Sequence, residues 1–405
     1  MLVAACGATD AGNRYNPLAM NPFRSLVKRA ERGWAGTRNK LDAFPDLATR
    51  LLTEFEYGLS QDQLDQGLAR WFLNAAELPE QVSLHNTFGQ PPITLFNNGR
   101  FVIDVYLWLT SDTSIHSHGF RGAFRVLHGK SLHETFKVKV SRRIAPGVME
   151  CDPGTPQMTL LEPGDVRTIL PGEKLTHRVV HLETPTVTLC VKTINEPGLY
   201  QWEYFPDGLA VQRRPPTPGL IKEIYFFQYL LGQDETLALR YLGKLLGSMS
   251  VVARMNLHEE VCGGSFDLSE DAIEHCLAQI RELHGGADWF RRYESPVPLY
   301  LKELYFSGCD SSLGRLVAHF INGGHDLKTA KPHLSRLAGR EVSRSDVQSA
   351  VISLMDFEPI FGCELPIDDR ALIKELVVQS NRRIPRHLQP YCQIQRMRDF
   401  IRMFG

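Results

Sequence analysis

The sequence has almost no net charge, no closely paired cysteines and no long apolar run, and each absence excludes something. Formal net charge is −1, from 45 Lys and Arg against 46 Asp and Glu, so no global basic field favours a nucleic-acid partner. The eight cysteines (Cys6, Cys151, Cys190, Cys262, Cys276, Cys309, Cys363 and Cys392) form no CxxC pair. That spacing argues against a cysteine zinc site and reads as reduced thiols, mostly small buried hydrophobes, in a cytoplasmic protein. No apolar stretch reaches the roughly 18 to 20 residues of a membrane span. The opening Leu2-Val3-Ala4-Ala5-Cys6 loosely echoes a lipoprotein cleavage box, but no charged or apolar leader region precedes it, so it reads as an ordinary N-terminus.

What is present is the composition of a folded soluble protein: 405 residues, 43% hydrophobic and 22% charged. Two or three domains are expected at this length. Residues 1–82 carry helix-period apolar spacing over Pro22 to Glu31, Arg38 to Tyr57 and Gln61 to Ala76, the last with Ser60 as N-cap. From Ser83 to about Tyr204 the apolar residues come in short β-branched or aromatic runs separated by Gly, Pro and Asn. Examples are Phe101 to Leu109, Leu132 to Val140 and Val187 to Thr193. Strands this short and frequent imply an antiparallel sandwich or barrel. Arg213-Arg214-Pro215-Pro216-Thr217-Pro218-Gly219 reads as a linker, since clustered prolines continue neither helix nor strand. Helix patterns return over 212–405, at Ile221 to Leu231, Glu235 to Leu246, Ser269 to His284, Pro298 to Phe306, Ser311 to Asn322, Ser343 to Met355 and Asp368 to Gln379. The expected fold is α+β: a central antiparallel β-barrel (residues 83–211) between an N-terminal helical segment and a C-terminal all-helical domain.

Chemistry concentrates in the β region, where six of the fourteen histidines fall between His116 and His181. His116-Ser117-His118 is the sharpest feature. On a strand, residues i and i+2 project to one face, so both imidazoles reach one point. A third ligand must come from another strand, and His177 is the natural candidate. Three imidazoles leave coordination positions open and suit iron, copper, nickel and zinc alike.

The frame resembles the cupin superfamily. Its HxH motif matches His116-Ser117-His118, with Gly122 at the usual acidic position and Gly129 at the closing glycine; its second motif matches Gly164-Asp165, Pro171-Gly172 and His177. The missing acidic ligand, together with Asn98-Gly99-Arg100-Phe101, Leu127-His128-Gly129 and Leu175-Thr176-His177-Arg178-Val179, resembles the cysteine dioxygenase (thiol dioxygenase) branch over about residues 90–200. That resemblance implies an Fe(II) oxygenase holding its metal with His116, His118 and His177, and dioxygen with a small thiol, amine or amino-acid-like molecule as substrates.

Departures from that branch bear on the substrate. Its Cys–Tyr crosslink falls on Gly122 and Lys192, its carboxylate-binding Arg is absent from Gly89-Gln90-Pro91-Pro92-Ile93, and its outer histidine falls near Cys190. Cysteine is therefore not the expected substrate. Replacement catalytic groups are Arg121 or Arg125, one of which should point inward to grip a carboxylate, and Lys192, as an anion anchor or, with a lowered pKa, a base. His128 shares the face of the HxH pair only if no bulge intervenes; His181, His133 and Glu134 read as supporting or surface groups, and Tyr106 and Trp108 as core.

Two other functions compete: a Zn or Ni isomerase or hydrolase of cupin type, and a non-catalytic small-molecule-binding cupin signalling through its helical domain. A scaffold role for the helices is a third. Beyond the β region, His258-Glu259-Glu260 reads as surface charge, and Arg382, Arg383, Arg386, Arg396, Arg398 and Arg402 as a solvated or intersubunit face of a homodimer, with an RNA or acidic-partner contact as the lesser alternative.

Overall fold

In the computed structural model, the described residues are 21–82, 89–109, 113–194, 196, 198–205, 208–293, 309–356, 367–379, 382–388 and 392–405. The Leu2–Cys6 opening and the helix expected over Pro298 to Phe306 lie outside them. Three helices lead: α1 (Asn21–Gly36), α2 (Phe44–Thr53) and α3 (Gln61–Asn74). Ser60 caps α3 as the sequence suggests, accepting from the Gln63 amide while the Gln63 side chain accepts from the Ser60 amide.

Thirteen strands follow among the described residues: β1 (Pro92–Asn97), β2 (Phe101–Trp108), β3 (Ile115–Ser117), β4 (Gly122–His128), β5 (Ser131–Phe136), β6 (Lys139–Ala145), β7 (Val148–Asp152), β8 (Gln157–Leu161), β9 (Val166–Ile169), β10 (Thr176–His181), β11 (Thr186–Thr193), β12 (Gln201–Tyr204) and β13 (Leu209–Arg213). They form two antiparallel sheets, ordered β1-β2-β11-β4-β9 and β6-β7-β13-β12-β3-β10-β5-β8, a cupin-like sandwich. The expected run Leu132 to Val140 is two strands, β5 and β6.

Period-2 alternation explains why β2 and β11 are buried along nearly their whole length. Phe101, Ile103 and Val105, with Val187, Leu189 and Val191, face outward and pack on Phe23, Leu26, Phe44, Leu47 and Leu51 of α1 and α2. Their neighbours Tyr106, Trp108 and Cys190 face inward and share a separate cluster with Phe124 and Val179. Gly122 meets β11 so closely that a Cβ there would lie 2.1 Å from the Val191 carbonyl oxygen. No side chain fits at residue 122.

After the strands come α4 (Pro218–Leu231), α5 (Glu235–Ser248), α6 (Val251–Cys262), α7 (Glu270–His284), α8 (Asp288–Tyr293), α9 (Ser312–Gly323), α10 (Leu327–Ala338), α11 (Arg344–Leu354), α12 (Ile367–Val378) and α13 (Cys392–Arg402). The group α4 to α8 packs on Val148, Leu209 and Val211. The group α9 to α13 packs on Leu132, Leu160 and Val180, the outer face of the larger sheet. Two surface readings are corrected. His258 is buried on α6, and Glu259 pairs with Arg213. Arg398 is buried and donates to the Leu376 and Arg382 carbonyls, so it ties α12 and α13 rather than facing solvent.

Candidate metal centre

His116 on β3 lies directly opposite His177 on β10 in the strand register, and the three rings His116, His118 and His177 converge with centroids 4.6 to 4.9 Å apart. One ring nitrogen from each lies within 4.8 Å of the other two, and all three residues are buried. Burial pushes His116 down to about 4, partly opposed by its hydrogen bond to Ser114; burial and the neighbouring imidazoles hold His118 and His177 well below the ordinary value. Neutral imidazole is the form that binds metal.

The outer ring nitrogens decide which way the lone pairs point. His116 Nδ1 lies 2.8 Å from the Ser114 carbonyl, an acceptor only, so Nδ1 carries the proton and Nε2 the lone pair. His177 Nδ1 lies 2.9 Å from His133 Nε2. His118 Nε2 and His177 Nε2 are 2.8 Å apart; two bare lone pairs at that distance repel, so either a proton or a shared cation sits between them. A histidine-binding transition metal fits this donor set.

The cluster opens into a cavity of about 140 Å³. One wall is a stack: Tyr106 on Trp108 at 5.5 Å and Trp108 on His181 at 4.4 Å. Phe120, Phe124, Thr188, Cys190 and Lys192 line the rest of it, with Val179 and Ile169. Lys192 reaches the cavity because it shares strand parity with Thr188 and Cys190. Its ammonium pairs with Asp104 at 3.0 Å and donates to the Tyr106 hydroxyl at 2.5 Å. Burial opposes that charge, but Tyr106 and Asp104 outweigh it, and the Lys192 pKa is raised. The lowered pKa considered for a base at Lys192 is therefore corrected: the group is a cation. Burial also drives the Cys190 thiol up to about 12, so it is no thiolate.

The two arginines are not brought to the cavity. Arg121 pairs with Glu196 at 2.7 Å and with Asp42. Arg125 has the outward parity of Ala123 and donates to the Leu52 and Phe55 carbonyls at the end of α2. Neither of them grips a ligand in the described cavity. His128 also turns outward, bonding Tyr57 at 2.8 Å, and β11 shifts register between Val187 and Thr188 opposite it.

The sequence reading missed other groups. His181 is buried and lines the cavity, because i and i+4 share a face on a strand as well as on a helix. Its Nδ1 meets Ser131 Oγ at 3.0 Å, while Nε2 has no hydrogen-bond partner among the described residues. Asp104 Oδ1 is likewise buried and unpartnered. Tyr106 and Trp108 are cavity wall as well as core.

No protein-family model and no curated protein matches the sequence. Similar solved structures include a double-stranded β-helix protein from Klebsiella pneumoniae, at 14% identity and TM-score 0.21, covering 33% of this chain and all of that one. A hydroquinone 1,2-dioxygenase from a Sphingomonas species is 13% identical at TM-score 0.20, covering 27% of this chain and 70% of its own. A cupin-2 domain protein from Shewanella frigidimarina is 13% identical at TM-score 0.17, covering 27% and 84%. Scores this low carry no argument about chemistry.

Proposed function

We propose that the chain is a mononuclear metal-dependent oxygenase of cupin type, related to the thiol dioxygenase branch, in which His116, His118 and His177 hold Fe(II). The observation that carries this reading is the buried three-imidazole cluster opening onto a cavity lined by a buried ammonium. When bound, iron supplies the redox chemistry with dioxygen. The chain's own residues do the rest. Ser114 and His133 fix the ring orientation of His116 and His177, and the Tyr106–Trp108–His181 stack forms one wall of the cavity.

Size and polarity bound the substrate. An apolar cavity of about 150 Å³ holds a benzene-sized molecule, so about 140 Å³ admits a substrate on the order of six non-hydrogen atoms. Lys192 has three N–H donors and two partners here, which leaves one for a substrate anion. His181 Nε2 and Asp104 Oδ1 are buried polar atoms whose hydrogen bonds a polar substrate or an ordered water would complete. A small anionic thiol, amine or amino-acid-like molecule suits this set. Cysteine itself is not the substrate in this reading, because no arginine lines the cavity to take the part of the carboxylate-binding arginine of the thiol dioxygenase branch. We assign the cavity to a β domain over 83–211, with helical parts over 1–82 and 212–405.

The test is oxygen uptake by the iron-loaded protein across small thiols, amines and amino acids. Substrate-dependent, irreversible oxygen consumption is expected, lost in His177→Ala. Turnover by zinc- or nickel-loaded protein without oxygen would replace the oxygenase with an isomerase or hydrolase. Tight binding without turnover under any metal would leave a sensor.

A further inference from the structure

Strands β5 and β10 carry polar groups on both faces. Inward are His133 and His177; outward are Glu134 and Arg178, register partners that face α9. Glu134 is fully buried. One carboxylate oxygen accepts from Arg178 Nε at 2.6 Å and the other lies 3.0 Å from His319 Nε2 on α9. His325 follows the left-handed Gly324 that ends α9, and its ring folds back against Phe320, with centroids 5.4 Å apart, and His319, 6.0 Å apart. One carboxylate oxygen and two imidazole nitrogens thus lie within 4.8 Å of one another.

We propose that Glu134, His319 and His325 form a second metal site, for a zinc-class divalent ion, which pins α9 to the outer face of the larger sheet. Two imidazoles and a carboxylate are a donor set zinc accepts, with a fourth position left for water. Bonds of about 2.1 Å in a tetrahedron place ligand atoms about 3.4 Å apart, so closing this cluster takes side-chain rotations on the order of one ångström. Arg178 on the outer oxygen orients the carboxylate as partners of metal ligands commonly do.

The competing reading is a plain buried ion-pair network, in which Arg178 and His319 alone satisfy Glu134. It leaves His325 unexplained. No hydrogen bond holds that ring among the described residues, and it fits only because residue 323 is glycine, where a Cβ would lie 2.4 Å from His325 Nε2. Arg178 also limits the site: its charge opposes a dication, so zinc binds here more weakly than at a site without a cation.

Zinc chloride titrated into the metal-free full-length chain, with bound zinc counted by elemental analysis after desalting, decides the matter. Two equivalents are expected in the wild type and one in His325→Ala, a partly exposed loop position whose loss should leave the fold intact. His177→Ala should also hold one, and the double variant none. His319→Ala, which is buried, serves as a second variant only if its circular dichroism matches the wild type. Wild-type protein that binds no zinc, or a count unchanged in His325→Ala, overturns the second site. Loss in His325→Ala with no change in His177→Ala would instead sink the three-histidine centre and leave this one standing.

Discussion

Replacing Lys192 by Met removes one half of a buried ion pair and leaves the Asp104 carboxylate without its cation. The two charges lie 3.0 Å apart, with side chains 6% and 2% exposed. At an effective dielectric of about 20, the attraction at that distance is about 5 kcal/mol. Desolvation of both groups offsets most of that gain, so the pair contributes little net stability. Breaking it is another matter, because the remaining carboxylate stays buried: a cost of about 3 to 5 kcal/mol is expected for Lys192→Met, and a similar one for Asp104→Leu. The double variant, apolar at both positions, should return to within about 1 kcal/mol of the wild type. Urea unfolding of the four metal-free proteins, read as midpoints at constant slope, gives the cycle directly. The double variant should keep its metal and lose substrate-dependent turnover, which separates the structural cost from the anchoring role. Single-variant costs below about 1 kcal/mol would refute the claim that this pair is ionised and buried.

Arg125→Ala should cost about 1 kcal/mol in urea unfolding, the scale of a cation at a helix C-terminus, with bound metal unchanged; metal loss would show that Arg125 serves the site after all. His133→Ala removes the group that orients His177, so chelator competition should show metal affinity falling 10- to 100-fold, against no change if His133 only fills space. Glu134 is held down at about 2, from an ordinary 4.5, because His319 and Arg178 outweigh the upward push of burial. A depressed carboxylate stabilises the fold above its unfolded pKa and loses that contribution as pH falls through the folded one. Urea midpoints of the metal-free chain should therefore drop between about pH 4.5 and 2 by about 3 kcal/mol more than in Glu134→Gln. Parallel curves would contradict it.

The strand region and its helical flanks are legible in the sequence because short β-branched runs and helix-period spacing are local signals. Strands β12 and β13 and helices α6, α8, α10 and α13 lie outside the expected elements: the two strands and α8 are brief, α6 has no dominant apolar face, and α10 carries Pro332 within it. The expected helix over Arg38 to Tyr57 shortens to α2, and Leu132 to Val140 breaks in two, since burial pattern alone does not reveal a turn. The convergence of His116, His118 and His177 follows from strand parity and one cross-strand neighbour. Orientation of the arginines does not follow in the same way, because it depends on register relative to Phe124 and on where α2 ends. His181 reads as a supporting or surface group in the sequence, whereas its four-residue spacing from His177 on β10 puts both on the cavity face. The glycine at 122 shows its reason only in three dimensions, where β11 leaves no room for a side chain.

Metal bound to the three-histidine cluster is the central claim, and iron content tests it most directly. Anaerobic Fe(II) loading followed by desalting should be done in a His325→Ala background, which removes the second site from the count. The account predicts close to one iron per chain, falling to near zero when His177→Ala is added. Equal iron in the two proteins, or none in either, would contradict it.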